Sequence, residues 1–378
     1  MSNSDNPLRQ LENFGQSIWL DYIRRQLLFS PEFRRLIEED GLKGMTSNPT
    51  IFDKAISDSN DYDEQLAELV RSQKSTDEIY EALTTDDIKR AADALRPLYD
   101  TTDGRNGFVS YEVPPRLAND TDGTIAAAHR YFELIGRPNL MVKVPATPAG
   151  LPAIEQLISE GHNINITLMF SVKHYGAVAE AYLRGLEKRA QAGLPLARVA
   201  SVASVFVSRV ETLADKRLEE KLKERPNEAV AALRGTAAVA NAKLIYQRFK
   251  EIFGGDRFKQ LQAKGACVQR PLWASTGTKD PAYSDIKYVQ ELIGPDTVNT
   301  MPPATMDAFR DHGMPHATLE QGLAEAAEAV RRLNEAGIDL IEIGEELQHE
   351  GVESFAKSFA DLLATIESCR SAPRAAAS

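Results

Sequence analysis

Short apolar runs rich in β-branched residues alternate along the chain with longer stretches whose apolar residues recur at helical spacing. The first pattern is typical of strands and the second of amphipathic helices, so their alternation predicts repeated strand–helix units. Several runs are apolar at successive positions, as in parallel strands that are covered on both faces. The predicted strands are Ser17–Tyr22, Gly44–Thr46, Gly107–Val113, Leu140–Val144, Asn163–Thr167, Ala200–Val205, Gln269–Ala274 and Thr297–Thr300. Eight strands of this kind favour an α/β fold with a closed barrel.

The segments between the predicted strands carry the helical spacing, with large apolar residues three or four positions apart. The predicted helices are Gly123–Ile135, Leu151–Ser159, Val172–Ala190, Asn227–Phe253 and Leu319–Ala336. Residues 53–102 are acidic and helical, without a strand pattern, and are predicted to be a helical insertion between the second and third strands. We expect residues 1–372 to form a single domain and the Pro/Ala/Ser-rich residues 373–378 to be a flexible tail.

Composition and charge exclude several classes of protein. The chain has 378 residues, 44 Lys and Arg against 55 Asp and Glu, and a net charge of −11, so it lacks the basic footprint of a nucleic-acid-binding protein. Local cationic pockets for phosphorylated ligands remain compatible with that charge. The chain has no apolar run long enough to span a membrane, and its first residues do not resemble a signal peptide, so we expect a cytoplasmic protein without a membrane partner.

Cysteines and histidines give no sign of a metal or disulfide framework. Cys267 and Cys369 are the only cysteines, and they are far apart without a Cys/His cluster. His162 and His174 have no second histidine at metal-ligand spacing. The sequence therefore predicts no metal site.

Lys143 is the most informative single residue, because it is a lone cation within the apolar run Leu140–Val144. Loss of water disfavours an ammonium ion, which favours the neutral amine and makes this residue a candidate nucleophile toward a carbonyl group. The alternative is a structural lysine at a strand end that pairs with a carboxylate.

Polar residues also stand at the ends of other predicted strands: Asp21, Glu112, Asn165, Thr167 and Ser204. In a barrel of parallel strands these side chains would meet Lys143 at the carboxyl-terminal mouth, where such enzymes react. Two carboxylates could divide the roles of proton donor and base that imine formation and C–C cleavage require. Alternatively, Asp21 could pair with Arg24 or Arg25, and Glu112 with Arg116.

Four motifs occur in an order that resembles the transaldolase family, specifically its longer bacterial form. They are Thr46–Phe52, Met141–Thr147, Asn163–Ser171 and Ser204–Arg209. The resemblance runs from about Ile18 to beyond Phe355, and the combination is specific although each motif alone would be weak. It implies a (β/α)8 or TIM barrel of the Schiff-base aldolase type.

The resemblance also implies roles for individual residues. Lys143 would form the imine, and Asp21 would be the general acid/base during C–C cleavage and formation. Glu112 and Thr167 would hold the water used in proton transfer. The side chains implied to lie against the bound dihydroxyacetone unit are Asn48, Asn165 and Ser204. An amide suits hydroxyl groups because it both donates and accepts hydrogen bonds.

For the substrate phosphate, the resemblance implies Arg209, with Ser275 and Lys279 from the seventh-strand motif. The chain departs from the shorter transaldolases in having Gly277 where they have an arginine, which leaves open whether Lys279 contacts phosphate. Glu112 and Phe206 match the transferases, whereas the related fructose-6-phosphate aldolases resemble this pattern with glutamine and tyrosine there.

The activity that the resemblance implies is transaldolase: transfer of a dihydroxyacetone unit from sedoheptulose 7-phosphate to glyceraldehyde 3-phosphate. The products would be erythrose 4-phosphate and fructose 6-phosphate, as in carbohydrate metabolism by the pentose phosphate pathway. No cofactor is expected, because the lysine imine is itself the electron sink, and a homo-oligomer is possible. Two alternatives stay open: an aldolase that releases free dihydroxyacetone, and a catalytically silent barrel that acts as a binding subunit.

Overall fold

Eight parallel strands close into a barrel in the computed structural model, which describes residues 6–371. Each strand pairs with its neighbours in chain order, and β1 pairs with β8 to complete the ring. The strands are β1 Gln16–Asp21, β2 Gly44–Thr46, β3 Phe108–Glu112, β4 Leu140–Pro145, β5 Ile164–Met169, β6 Ser201–Phe206, β7 Arg270–Ala274 and β8 Thr297–Met301. The prediction of a (β/α)8 barrel is confirmed, and every predicted strand end lies within two residues of the observed one.

Helices surround the barrel and also fill the long connection between β2 and β3. They are α1 Pro7–Gln10, α2 Arg25–Phe29, α3 Pro31–Glu38, α4 Pro49–Ser57, α5 Asp63–Arg71, α6 Thr76–Thr101, α7 Thr121–Ile135, α8 Gly150–Glu160, α9 Val172–Gln191, α10 Val207–Glu224, α11 Glu228–Ala231, α12 Ala237–Phe253, α13 Asp256–Gln262, α14 Lys287–Glu291, α15 Pro303–His312, α16 Leu323–Glu335 and α17 Leu340–Ser371. Short 3-10 helices lie at Leu11–Phe14 and Pro115–Leu117. Among the described residues, none of these helices is long and apolar enough to cross a bilayer.

Two helix predictions were wrong in their bounds. The helix predicted at Asn227–Phe253 is two helices, α11 and α12, because Gly235 has a φ of +73°, which is outside the helical region. The helix predicted at Leu319–Ala336 begins only at Leu323, after Gly322 with a φ of +64°.

The segment between β2 and β3 contains α4, α5 and α6, so the region predicted as a helical insertion is helical but begins at Pro49. A part-buried ion pair joins it to α2, the helix after β1: Arg25 Nε donates to Asp87 Oδ1 at 2.9 Å. Within the segment, Tyr62 Oη donates to the other oxygen, Asp87 Oδ2, at 2.8 Å. The assignment of residues 1–372 to a single domain stays a prediction, and the predicted tail 373–378 lies outside the described residues.

The C-terminal helix α17 lies against the carboxyl ends of β4 and β5. Gln348 Nε2 donates to the carbonyl oxygens of Ala146 and Leu168, both at 3.0 Å. Gly351 favours this close approach, because a Cβ at that position would lie 2.8 Å from Leu168 Cδ2 and the leucine side chain would have to shift. The helix therefore covers part of the barrel mouth.

Candidate active site

Lys143 lies on β4 and is only 4% exposed. Its Nζ donates to the carbonyl oxygen of Ser47 at 3.0 Å and lies 3.1 Å from Glu112 Oε2. The ion pair follows from strand register, because Glu112 on β3 is directly opposite Lys143. The sequence left two interpretations of Lys143 open, a nucleophile at the barrel mouth and a strand-end lysine paired with a carboxylate. The structure is compatible with both, because the lysine pairs with Glu112 and does so at the carboxyl end of the barrel.

Glu112 is buried beside this ammonium group, and burial raises the pKa of its carboxyl group, with the Lys143 charge opposing the rise. The proposed alternative partner, Arg116, forms no ion pair within residues 6–371; its guanidinium lies 5.9 Å from the ring centroid of Phe359. Glu112 is therefore electrostatically coupled to the lysine.

Two buried side-chain oxygens near this pair have no hydrogen-bond partner in the described part of the chain. One is Glu112 Oε2, whose approach to Nζ is close but poorly aligned for a hydrogen bond, and the other is Thr167 Oγ1. An unsatisfied buried polar group costs about 1–3 kcal/mol. Both groups are therefore suited to bind a water molecule or a substrate hydroxyl.

Asp21, at the end of β1, accepts a hydrogen bond of 2.6 Å from Thr46 Oγ1. Since Thr46 has one hydroxyl proton and gives it to Asp21, the 2.8 Å contact between Thr46 and Thr300 makes Thr300 a donor to Thr46. Burial raises the pKa of Asp21, and the charge of Lys143 opposes that rise. Thr46 was missed as a site residue, although it is the first residue of the Thr46–Phe52 motif.

The predicted alternative partners of Asp21 have other carboxylates. Arg24 Nε lies 2.8 Å from Asp61 Oδ2, and Arg25 Nε lies 2.9 Å from Asp87 Oδ1. Neither arginine therefore pairs with Asp21, and its carboxylate stays available to a ligand in the barrel mouth.

Asn165 joins three strands across the barrel interior. Its Nδ2 donates to Ser110 Oγ on β3 at 3.0 Å, and its Oδ1 accepts from Ser204 Oγ on β6 at 2.7 Å. Because β3 and β5 are not neighbours, this contact requires both side chains to point into the barrel. Ser110 was not predicted, but its position two residues before Glu112 places both on the same face of β3.

Asn48 has a structural task that the sequence analysis did not predict. Its Oδ1 accepts from the backbone N–H of Ile51 at 2.9 Å and so caps the N-terminus of α4. The side chain is half-buried, and its Nδ2 donates no hydrogen bond within the described residues, which leaves that group as a donor for a ligand.

Arg209 lies in the first turn of α10, where its charge acts on Asp21 and Glu112. Its guanidinium lies 5.2 Å from the ring centroid of Phe206 and 5.9 Å from that of Phe355 on α17. It is half-buried and forms no ion pair within residues 6–371; burial lowers its pKa, and the charges of Asp21 and Glu112 oppose that effect. A guanidinium in this condition retains donors for an anion.

Ser275 adjoins the same turn of α10. Its Oγ lies 2.9 Å from Ser208 Oγ, and its carbonyl oxygen accepts from the Ser208 N–H at 3.1 Å. Ser275 has a φ of +55°, an uncommon conformation for a residue other than glycine. Since Ser208 directly precedes Arg209, these contacts fix the loop after β7 beside the arginine.

Lys279 lies elsewhere. It is exposed and lines a cleft of about 290 Å³ that none of the other predicted site residues lines. The cleft is also lined by Lys216 and by the carboxylates of Glu211, Asp215, Glu219 and Asp280, of which Glu211 pairs with Lys287 and Glu219 with Arg234. Because neither Arg209 nor Ser275 lines this cleft, the structure does not bring Lys279 together with them.

Known proteins resemble this chain over almost its whole length. Residues 18–366 match the family described as Transaldolase/Fructose-6-phosphate aldolase. A transaldolase of Saccharopolyspora erythraea is 49% identical over 367 residues, which cover 97% of this chain and 98% of the relative. A transaldolase of Trichodesmium erythraeum is 46% identical over 368 residues, covering 96% and 97%, and one of Thermobifida fusca is 48% identical over 359 residues, covering 95% and 96%.

Proposed function

We propose a reaction for this chain on the premise that it belongs to the transaldolase/fructose-6-phosphate aldolase family. It transfers a dihydroxyacetone unit from sedoheptulose 7-phosphate to glyceraldehyde 3-phosphate, which gives erythrose 4-phosphate and fructose 6-phosphate in the pentose phosphate pathway. The observation that supports this best is the buried amine of Lys143 between Ser47 O and Glu112, in the mouth of a barrel. We place the reaction in the cytoplasm, with sugar phosphates as the only substrates.

In the first step Lys143 Nζ passes a proton to Glu112, 3.1 Å away, and attacks the ketone carbon of the donor. The carbinolamine then loses water, and the leaving hydroxyl needs a proton. Glu112, whose pKa is raised by burial, can supply one directly or through a water molecule shared with Thr167. The product is a protonated imine on Lys143.

In the second step Asp21 removes the proton of the C4 hydroxyl as the C3–C4 bond breaks, and the bonding electrons pass to the imine nitrogen. An aldehyde leaves, and an enamine of dihydroxyacetone remains on the lysine. The enamine carbon attacks the acceptor aldehyde, Asp21 returns its proton to the new hydroxyl oxygen, and hydrolysis frees Lys143. The hydrogen bond from Thr46 fixes the Asp21 carboxylate for both transfers.

The enamine has to await an acceptor without being protonated, and Phe206 supports that requirement. Its ring, 8% exposed at the end of β6, packs 5.3 Å from the ring of Phe170 and offers no proton. A phenyl group at this point keeps a proton donor away from the nucleophilic carbon. This favours transferase over aldolase chemistry.

We expect Phe206→Tyr to raise the release of free dihydroxyacetone from fructose 6-phosphate by about tenfold or more, an order-of-magnitude effect for one positioned proton donor. Dihydroxyacetone is measured without an acceptor aldehyde, and transfer is measured with one. Phe170→Tyr is the matched control, since it adds the same hydroxyl to the neighbouring ring. Unchanged release in Phe206→Tyr would contradict this account of how the enamine is protected.

We expect Arg209→Gln to raise KM for the phosphorylated acceptor by about 10- to 100-fold, because a charged hydrogen bond to phosphate contributes about 1.5–3 kcal/mol. Lys279→Gln should change KM by less than about threefold, since Lys279 is exposed and lines a cleft that Arg209 and Ser275 do not line. Steady-state kinetics with glyceraldehyde 3-phosphate and with unphosphorylated glyceraldehyde separate the phosphate contribution. Equal effects of the two variants would instead place Lys279 at the phosphate.

The overall reaction is tested by incubating the chain with fructose 6-phosphate, with and without erythrose 4-phosphate. A transaldolase forms sedoheptulose 7-phosphate and glyceraldehyde 3-phosphate only when the acceptor is present. Rapid formation of free dihydroxyacetone without the acceptor would identify an aldolase. Absence of any product, together with no covalent capture of the sugar, would identify a silent barrel.

A further inference from the structure

A second group of ligating side chains lies at the end of the barrel opposite the active site. His129 is on α7, Glu160 is the last residue of α8, and His162 precedes β5. The nitrogen and oxygen donors of the three side chains all lie within 4.8 Å of one another. His129 Nε2 is 2.6 Å from Glu160 Oε2, and His162 Nε2 is 3.7 Å from the same oxygen. Sequence spacing gave no sign of this group because His129 is more than 30 residues away from its partners.

The position of His162 is fixed by the end of α8 and by an aromatic contact. Gly161 has a φ of +96°, and the His162 N–H donates to the carbonyl oxygen of Leu157 at 3.0 Å, which is the usual way to end a helix. The His162 ring stacks on the ring of Phe132 from α7, with centroids 4.1 Å apart and planes 11° from parallel. The half-buried imidazole is therefore preorganised against the helix that carries His129.

The charges around the group are compatible with a divalent cation. Glu160 supplies a carboxylate, and each imidazole supplies a ring nitrogen, so the group offers one negative charge and two neutral donor atoms to a cation. Arg189 is the opposing charge nearby; its Nε donates to Pro195 O at 2.7 Å, and its Nη1 donates to Ser159 O at 3.3 Å. These backbone contacts hold the guanidinium at the end of α8, where the Glu160 carboxylate offsets its charge.

We propose that His129, Glu160 and His162 bind a zinc ion. Two imidazole nitrogens and one carboxylate oxygen are a common donor set for Zn²⁺, with water in the fourth position. Ligands about 2.0–2.1 Å from a tetrahedral ion lie roughly 3.4 Å apart, which small rotations of these side chains would achieve. Binding replaces the contact between His129 Nε2 and Glu160, and the ring carries its proton on Nδ1. The ion would join α7 to the end of α8, far from the barrel mouth, and so would stabilise the fold without entering the reaction.

Isothermal titration calorimetry of the metal-free full-length chain with ZnCl₂ tests the proposal. Thermal unfolding with and without ZnCl₂ measures the change in Tm. We expect one equivalent of Zn²⁺ to bind and to raise Tm, because a ligand that binds only the folded state stabilises it. His162→Ala and Glu160→Gln should each weaken this binding by more than about tenfold, as expected for loss of a ligand. The rate of sugar-phosphate transfer should not change in either variant.

His349→Ala is the matched control. His349 Nε2 lies 3.3 Å from Glu353 Oε1 on the exposed face of α17. Among the described residues, no second histidine joins this histidine–carboxylate pair. This variant should bind Zn²⁺ like the unmodified chain. The proposal is overturned if the unmodified chain binds no Zn²⁺, or if His162→Ala and Glu160→Gln bind it as tightly as the unmodified chain does.

Discussion

Replacing Lys143 with alanine should lower transaldolase activity by more than about 10⁴-fold, because the variant has no amine to form the imine. A coupled assay for glyceraldehyde 3-phosphate measures the loss. The fold should survive, since the Glu112 left without its cation has a pKa already raised by burial and can become neutral. Circular dichroism and thermal unfolding check this, and the double variant Lys143→Met with Glu112→Gln, which buries no charge at this point, is the control for stability.

Chemical trapping separates the imine from other roles of the lysine. Borohydride added with fructose 6-phosphate should reduce the imine and leave a dihydroxyacetone-derived mass on the peptide that contains Lys143. The same treatment of Lys143→Ala should leave no such mass. An intact folded chain that turns over substrate but shows an unmodified Lys143 after borohydride would refute the imine mechanism.

Asp21→Asn should lower the rate of transfer by about 10²–10⁴-fold, the usual contribution of a positioned general base. Asparagine keeps the size of the side chain and a hydrogen-bonding oxygen for Thr46, but it cannot accept the C4 hydroxyl proton. Imine formation should persist, so borohydride should trap the whole six-carbon donor on Lys143 instead of its three-carbon fragment. Mass spectrometry distinguishes the two adducts.

The pH dependence of the native chain supplies an independent check on Asp21. Burial raises the pKa of this carboxyl group above its ordinary value of 3.8 in the folded state, so the folded chain holds the proton more tightly than the unfolded chain. Its contribution to stability is therefore greatest at low pH and is lost as pH rises through the raised pKa. Asp21→Asn should remove this loss and raise Tm at neutral pH. A lower Tm would show that the carboxylate is a net stabilising group.

The strands could be predicted closely because a parallel strand that is covered on both faces needs apolar residues at successive positions. Such strands are visible in the sequence as uninterrupted apolar runs. The observed strands confirm the barrel, and the family match and the relatives named transaldolase confirm the family. The break between α11 and α12 was missed because Ala-rich residues favour a helix on both sides of Gly235, and one backbone angle decides against continuity.

Side-chain partners were harder to predict than strand ends. The roles of Asp21, Glu112 and Lys143 stay proposals, although strand register explains why Glu112 meets Lys143. Thr46 could have been found from its position at a strand end, whereas the Asn48 cap depends on where α4 begins. The carboxylates around Lys279 come mostly from α10, more than 50 residues earlier in the chain, so local sequence does not reveal them.

The helix α17 follows all eight strands in the chain, yet it holds Gln348 against β4 and β5 and Phe355 beside Arg209. One of the two aromatic neighbours of Arg209 therefore comes from the last described helix of the chain and the other from the barrel. A ring of eight strands without the docked α17 would lack both the Phe355 ring beside Arg209 and the cover over β4 and β5. Closing the barrel and completing the candidate site are thus separate structural requirements, and α17 meets only the second.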